Sequence, residues 1–362
     1  MIKFFLLTAL CFVNIALAQD LNLEKKIGQM LMLGFHGTSA DSKSQICKDI
    51  KKYHLGAVIL FDYNPVNKNK AKNISSKAQL KKLTQDLQSC ASDGKLLIAV
   101  DQEGGKVQRL KRKYGFYGQF PKASVVIKMD KNQIKTTYIR MAKELKSVGI
   151  NYNLAPVVDL DINAQNHVIH GLGRSFGKNP KMVAAYASTF IEAMHTQNVL
   201  TSIKHFPGHG SSVGDTHKGF VDVTNLWKKA ELEPYRLLKD KADTVMVAHV
   251  FNKKLDAKYP ASLSYKTITK MLRWKLDYHG VVITDDLQMG AISKKYGLRN
   301  TLKLAINAGD DILLIGNQLD PSKVKSTKNL VEMIVSLVKE GEVKIQSIEK
   351  AYARIQQLKK KL

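Results

Sequence analysis

The sequence has little cysteine, with 3 Cys among 362 residues. So few thiols exclude a scaffold held by many disulfides and a cysteine-rich zinc module. Acidic residues are also scarce, since 31 Asp and Glu stand against 57 Lys and Arg and leave a net charge of +26. This excess of cations suits three kinds of partner: nucleic acid, an anionic membrane surface or an acidic polymer. With 44% hydrophobic and 24% charged residues, the composition is that of a folded protein rather than a disordered or fibrous one.

Long apolar runs are absent too, and the most apolar stretch lies at the start of the chain. Met1–Gln19 reads MIKFFLLTALCFVNIALAQ, with a cation at Lys3 and an almost entirely apolar stretch from Phe4 to Ile15. That stretch is roughly a dozen residues, whereas a bilayer-spanning helix needs about 20, so a transmembrane anchor is disfavoured. The small residues of Ala16–Ala18 predict a secretory signal peptide over residues 1–18 that is cleaved after Ala18. We therefore expect an exported protein, either periplasmic or secreted.

Export bears on both the cysteines and the charge. Cys11 would leave with the signal peptide, and Cys47 and Cys90 would meet an oxidising compartment, where they either pair or stay as two buried thiols. An exported protein seldom meets nucleic acid, and no lysine run is interleaved with aromatic residues as a base-stacking surface would be. Two interpretations of the cations remain, a solvated basic surface and a surface that binds an anionic envelope polymer.

Short apolar runs rich in β-branched residues alternate with helical patterns along the chain. Runs of this kind, without strict polar alternation, are typical of strands buried on both faces. The runs are Gln29–Leu33, Ala57–Phe61, Leu96–Val100, Tyr152–Val158, Leu200–His205, Thr244–His249, Val281–Thr284 and Asp311–Ile315. The helical patterns include Ala78–Ala91, Asn132–Val148, Met182–Gln197, Tyr265–Leu276, Lys323–Lys339 and Val343–Leu358. Eight such units in one domain predict an α/β fold, a single (β/α)8 TIM barrel over residues 19–362, with a doubly wound open sheet as the alternative.

Charged side chains stand where the predicted strands end. Asp101 follows the third strand and Asp159 the fourth, the fifth ends in Lys204-His205, the sixth in His249, and Asp285-Asp286 follows the seventh. In a (β/α)8 barrel the active site lies at the carboxyl ends of the strands. Their joint placement therefore predicts a catalytic site at this rim.

The most informative stretch is KHFPGHGSSVGDTH at Lys204–His217. Its proline and glycines forbid a regular helix, so His205 and His209 do not form the one-face pair of a helical zinc site. Asp215 lies two residues before His217. A carboxylate at that spacing can hydrogen-bond one ring nitrogen and leave the other free to move a proton.

This stretch, with DQEGGKVQRL upstream and VITDDLQMGAI downstream, resembles glycoside hydrolase family 3. The motifs IGQMLMLGF, GRSFG at Gly173–Gly177 and PASLS at Pro260–Ser264 fit the same family, and the resemblance covers nearly the whole mature chain in order. It is most similar to the single-domain β-N-acetylglucosaminidase branch, which implies a (β/α)8 barrel and an exo-acting retaining β-N-acetylhexosaminidase. No metal or cofactor is implied, the substrate is a glycan containing N-acetylglucosamine, and we expect a monomer.

The resemblance also implies roles for individual residues. Asp285 matches the nucleophile, and His217 matches the acid/base, with Asp215 as its partner. The positions that match sugar-binding residues of the family are Asp101, Arg109, Arg174, Lys204 and His205. Two departures stand out: Lys106 replaces the usual arginine of GGRVQR, and the loop that precedes Arg174 is longer than in the commonest form. Similar recycling enzymes are cytoplasmic, so an exported version would act on wall fragments or other amino-sugar glycans outside.

Three alternatives stay open from the sequence. A phosphorylase that releases the sugar 1-phosphate would carry the same Asp and His pair. A β-glucosidase of the same family usually takes its acid/base from a further domain. A non-catalytic, envelope-binding barrel is disfavoured because Asp285 and the Asp215-His217 pair are all present.

Overall fold

A computed structural model describes residues 22–91, 95–318 and 324–362. The predicted signal peptide over residues 1–18 lies outside the described residues. No helix within the described part of the chain is both long and apolar enough to cross a membrane.

Eight parallel strands form one sheet that closes on itself. The strands are β1 Leu31–Gly34, β2 Ala57–Ile59, β3 Leu97–Val100, β4 Tyr152–Asn153, β5 Leu200–Phe206, β6 Thr244–Val247, β7 Val281–Thr284 and β8 Leu313–Ile315. Their order is β7-β6-β5-β4-β3-β2-β1-β8. A parallel bridge between Ile283 in β7 and Ile312, the residue that immediately precedes β8, completes the ring. The predicted (β/α)8 barrel is confirmed, and the open sheet is excluded because β8 contacts both β1 and β7.

Helices follow the strands in regular alternation. They are α1 Gln45–Tyr53, α2 Lys77–Cys90, α3 Lys131–Ser147, α4 Pro180–His195, α5 Glu233–Leu238, α6 Lys266–Lys275, α7 Leu298–Ala308, α8 Thr327–Lys339 and α9 Ile345–Lys359. A further helix over residues 22–29 precedes β1. Capping side chains mark several starts: Asp130 and Gln133 form a capping box on α3, and Asn179 accepts from Lys181 N–H and Met182 N–H at the start of α4.

The strands are short and buried throughout, which is why their sequences read as continuous apolar runs. In β3 all four residues have 0% exposure, because one face meets the barrel interior and the other meets the helices. A barrel of this kind is a packed core whose open ends carry the loops. The polar residues that follow each strand are thereby brought to one rim.

Some predicted boundaries are wrong, and one cause is proline. The fourth strand was expected over Tyr152–Val158 but ends at Asn153, because Pro156 has no N–H to continue the ladder. Val157 then makes an isolated bridge to Lys204 before the chain reaches Asp159. The sixth strand ends at Val247, two residues before His249.

A disulfide joins Cys47 on α1 to Cys90 on α2, with their Cα atoms 5.3 Å apart. The sequence left open whether these cysteines pair. Both are almost fully buried, so the bond ties two neighbouring helices of the outer layer together.

Candidate active site

A cavity of about 320 Å³ opens where the strands end. Many of its lining side chains are charged. The residues predicted as catalytic or sugar-binding all line it, namely Asp101, Arg109, Arg174, Lys204, His205, Asp215, His217 and Asp285, whereas Asp159 and His249 do not. Apolar residues also line it, such as Leu154 directly after β4, Met246 within β6 and Leu314 within β8.

Two carboxylates and three cations form a network on one wall of the cavity. The Lys204 Nζ lies 2.9 Å from Asp101 Oδ1 and 2.8 Å from Glu103 Oε1. Arg174 donates from Nε and Nη2 to the two oxygens of Glu103, at 2.8 and 2.7 Å. Arg109 Nη2 donates to Asp101 Oδ2 at 3.1 Å. These pairs fix the direction of each cationic head, and the bidentate contact in particular holds the plane of the Arg174 guanidinium.

The network keeps its members charged despite their burial. Desolvation alone would raise the pKa of Asp101, but Lys204 and Arg109 lower it to a net value below the usual range. Desolvation would likewise lower the pKa of Lys204, and the carboxylates of Asp101 and Glu103 raise it above its ordinary value. The wall therefore presents fixed donors and acceptors, which suits recognition of sugar hydroxyl and amide groups.

Glu103 was not predicted as a site residue. It lies two residues beyond Asp101, and it is the contact that holds both Lys204 and Arg174. Its position after β3 was a signal that could have found it, because alternate residues of an extended segment point to the same side.

His205 is oriented by Asp159. The carboxylate Oδ2 lies 2.6 Å from His205 Nδ1, so this nitrogen carries the hydrogen. Asp159 Oδ1 also accepts the backbone N–H of His209 at 2.8 Å. The Nε2 of His205 then faces Arg174 Nη2 at 3.5 Å. The second ring nitrogen of His205 is thereby directed at the charged wall.

Asp215 and His217 form a second imidazole–carboxylate pair, at the cavity mouth. His217 Nδ1 lies 2.8 Å from Asp215 Oδ1, and the same oxygen accepts the His217 backbone N–H at 3.0 Å. Burial would raise the pKa of Asp215, but the contacts with His217 lower it overall, so the carboxylate stays ionised. Because Nδ1 is held, Nε2 is the ring nitrogen available for proton transfer.

Glu231 anchors the loop that leads to this pair. Its Oε2 accepts the backbone N–H groups of Gly210 and Ser211, at 3.0 and 3.3 Å. Burial raises the pKa of Glu231 to about 7. A side chain at Gly208 would strike Glu231, with its Cβ only 2.5 Å from the Glu231 Cβ. Sequence reasoning missed Glu231, because it lies far from the motif and nothing in its neighbourhood indicates a site.

Asp285 follows β7 and is held by backbone groups. Its N–H donates to the Val247 carbonyl, and its Oδ1 accepts the Asp286 N–H at 2.8 Å. Desolvation would raise its pKa, yet the imidazoles of His249, His205 and His217 lower it to about 2. Asp285 is therefore a carboxylate across the neutral and mildly acidic range.

Asp286 and His249 complete this corner of the cavity. His249 Nε2 donates to the Asp286 carbonyl at 2.9 Å, and its Nδ1 lies 2.7 Å from the Ser262 hydroxyl. Both ring nitrogens of His249 are thus hydrogen-bonded. His249 therefore positions its neighbours and has no free nitrogen for acid or base chemistry. Burial raises the pKa of Asp286 to about 6, and the neighbouring charge of Asp285 adds to this rise.

Among residues 22–91, 95–318 and 324–362, no group of three or more His, Cys, Asp or Glu side chains could hold a metal ion. The polar wall is instead made of alternating carboxylates and cations.

Comparison with known proteins gives consistent matches. Residues 22–358 match the model of the glycosyl hydrolase family 3 N terminal domain. Beta-hexosaminidase A of Pseudoalteromonas piscicida is 31% identical over 94% of this chain, and the chain spans 62% of the length of that relative.

Solved structures of similar fold include two enzymes that, by their names, act on amino sugars. A glycoside hydrolase family 3 beta-N-acetylglucosaminidase from Paenibacillus sp. superposes with a TM-score of 0.82 at 31% identity, covering 93% of this chain and 62% of the other. The beta-N-acetylhexosaminidase from Beutenbergia cavernae also gives 0.82, at 28% identity, covering 93% of this chain and 98% of the other.

Proposed function

The chain belongs to glycosyl hydrolase family 3, and we propose that it is an exo-acting, retaining β-N-acetylhexosaminidase that removes terminal β-linked N-acetylglucosamine from peptidoglycan fragments or related amino-sugar glycans. One observation carries the proposal: the Asp215-His217 pair and the ionised Asp285 line the same cavity. A retaining hydrolase needs these two functions, a nucleophile and a proton donor, on one substrate.

In the first step Asp285 attacks the anomeric carbon as the bond to the leaving oxygen breaks. The protonated imidazole of His217 gives the Nε2 proton to that oxygen, so the aglycone departs as a neutral alcohol. The sugar is left covalently bound to the Asp285 carboxylate. Asp215 holds Nδ1–H at 2.8 Å and stabilises the charged ring before the transfer.

In the second step a water molecule attacks the same carbon. His217 Nε2, now without its proton, takes one from the water, and the bond to Asp285 breaks. The two inversions give a product with the starting configuration. The imidazole is protonated again, and the site is ready for another substrate.

The charged wall supplies recognition of the sugar. Asp101 accepts hydrogen bonds from sugar hydroxyls, while Lys204, Arg174 and Arg109 donate to hydroxyl or amide oxygens. His205 stands beside them, with its Nε2 directed at Arg174. Because Glu103 already occupies two donors of Arg174, the remaining nitrogen Nη1 is the one left for substrate.

We expect the protein to cleave an aryl β-N-acetylglucosaminide. It should cleave the matching aryl β-glucoside about 10²-fold more slowly or worse, because the buried donors that would bind the acetamido oxygen stay unpaired with the glucoside. Initial rates of aryl release on the two substrates measure this ratio. Preference for the glucoside would contradict the acetamido assignment. Running both with and without phosphate tests the mode of cleavage, since release of the sugar 1-phosphate would contradict hydrolysis.

The protein is further proposed to be exported after cleavage behind Ala18, as residues 1–18 predict. The Cys47–Cys90 disulfide supports this, because such bonds persist mainly in oxidising compartments. N-terminal sequencing of protein from the native host should begin at Gln19. A chain that begins at Met1 in the cytosolic fraction would contradict export.

A further inference from the structure

The outer face of α6 carries an exposed aromatic pair. Trp274 is 64% exposed and Tyr265, which immediately precedes the helix, is 44% exposed. Their rings are perpendicular, with centroids 6.0 Å apart. The chain has only 2 Trp, and the other, Trp227, spends its indole N–H on the Pro207 carbonyl at 3.0 Å. Neither Tyr265 nor Trp274 lines the catalytic cavity.

The winding of α6 is what brings the two rings together. Trp274 lies nine positions after Tyr265, which in an α-helix is about 2.5 turns and would place the two residues on opposite faces. The segment instead forms a π-helix over Lys266–Lys275, closed at its end by a bond from Leu276 N–H to the Met271 carbonyl five residues back. The sequence pattern over Tyr265–Leu276 predicted a helix here without specifying its winding, and a helix is present. Turns of the π type are rare and are found frequently at functional sites.

The helix that carries the rings is positively charged. Lys266, Lys270 and Lys275 are exposed on α6, and the helix contains no Asp or Glu. The nearest carboxylate along the chain, Asp277, contacts Lys239 Nζ at 2.8 Å and His279 Nε2 at 2.9 Å. No cation lies over the indole ring among the ring contacts of the described residues, whereas Arg140 covers the exposed ring of Tyr117 at 4.8 Å.

We propose that this aromatic corner is a second glycan-binding site, which takes a pyranose ring of an anionic amino-sugar polymer. The C–H face of the sugar would stack on the indole of Trp274, and the upright ring of Tyr265 would close one side. The lysines would pair with carboxylate or phosphate groups along the chain, in keeping with the +26 charge of the protein.

A corner of two perpendicular rings favours a sugar over a membrane. Interfacial membrane binding uses apolar side chains that project into the lipid from an amphipathic face. Here the perpendicular rings of Tyr265 and Trp274 form a corner with two flat surfaces, which suits a rigid pyranose ring. The rest of the exposed α6 surface is cationic. The choice of an amino sugar rests on the proposed function, whereas the geometry of the corner does not.

The site would hold the enzyme on an insoluble polymer while chain ends enter the catalytic cavity. Sedimentation of the full mature protein with insoluble peptidoglycan, and separately with chitin, measures the binding. Trp274→Ala should raise the apparent Kd for peptidoglycan about tenfold, or about 1.4 kcal/mol. Trp274→Phe should recover part of it, because it restores an aromatic face. Tyr117→Ala is the matched control, since Tyr117 is 42% exposed and also stands edge-on to a neighbouring ring.

The charge requirement is tested by the double variant Lys266→Gln/Lys270→Gln. It should weaken binding to peptidoglycan, as should added salt, and should leave binding to uncharged chitin nearly unchanged. Hydrolysis of a soluble aryl β-N-acetylglucosaminide should stay at the wild-type rate in all of these variants. Measuring aryl hydrolysis separates the two proposals. If the wild-type protein failed to hydrolyse the aryl substrate, that result would contradict the proposed function but not the binding site.

Three results would overturn the inference. The first is equal binding of peptidoglycan by wild type and Trp274→Ala, and the second is an equal loss of binding in Tyr117→Ala and Trp274→Ala. The third is that wild type binds vesicles containing anionic lipid and that Trp274→Ala abolishes this binding without changing glycan binding, because the corner would then serve a membrane.

Discussion

Replacement of Asp285 by alanine is expected to lower kcat/KM by about 10⁴-fold or more on every β-N-acetylglucosaminide, whatever its leaving group. The reason lies in its chemistry, because the covalent intermediate forms on this carboxylate and alanine offers no oxygen to replace it. Its setting adds to the effect. Asp285 follows a buried strand, is fixed by the Asp286 N–H, and is kept ionised by the imidazoles around it. Steady-state rates with aryl and disaccharide substrates measure the loss.

The neighbouring carboxyl group provides the control. Asp286→Asn keeps an oxygen that can accept from Gln288 N–H and Gly316 N–H, which now bond to Asp286 Oδ1 at 3.0 and 3.1 Å. We expect a loss of at most about tenfold, since the variant preserves the turn that positions Asp285. If Asp286→Asn lost as much activity as Asp285→Ala, the nucleophile would be assigned to the wrong carboxylate.

The fold was predictable because the barrel strands are buried on both faces. A run such as Leu96–Val100 can then be recognised without any alternation, and the structure places β3 at Leu97–Val100. The exact ends and winding of the elements could not be predicted in this way. Pro156 ends β4 early, and in α6 the residues Lys266–Lys275 wind more widely than an apolar pattern can reveal. A pattern of buried and exposed positions reports which residues face the core, and only loosely how the backbone turns between them.

The site was predictable as far as strand ends could locate it. Residues next to a strand, such as Asp101 and Asp285, reach the cavity because parallel strands end at one rim. The contacts that hold them come from elsewhere in the chain. Glu231 reaches the loop after β5 from a short helix further along the chain, and Ser262 reaches His249 from a short helix after β6. No spacing rule connects such pairs, because the fold determines their distance.

Replacement of His217 by alanine should separate the two steps of the reaction. A sugar leaving group needs a proton as it departs, so with a disaccharide we expect kcat/KM to fall by about 10²- to 10⁴-fold, the range of general acid catalysis. A nitrophenolate leaves without that help, so its first step should fall much less. The second step still lacks its base, and the glycosyl-enzyme should accumulate and be visible as a mass increase on the intact protein.

Small nucleophiles and the partner residue complete the test. Azide needs no base to attack, so it should restore turnover of the nitrophenyl substrate by His217→Ala and yield a β-glycosyl azide, but should not restore Asp285→Ala. Asp215→Ala should fall between wild type and His217→Ala, because Asp215 orients Nδ1 at 2.8 Å without carrying the transferred proton itself. An equal loss on good and poor leaving groups in His217→Ala, with no trapped intermediate, would contradict the assignment. His205 would then be the stronger candidate, because its Nε2 faces the cavity while both nitrogens of His249 are engaged.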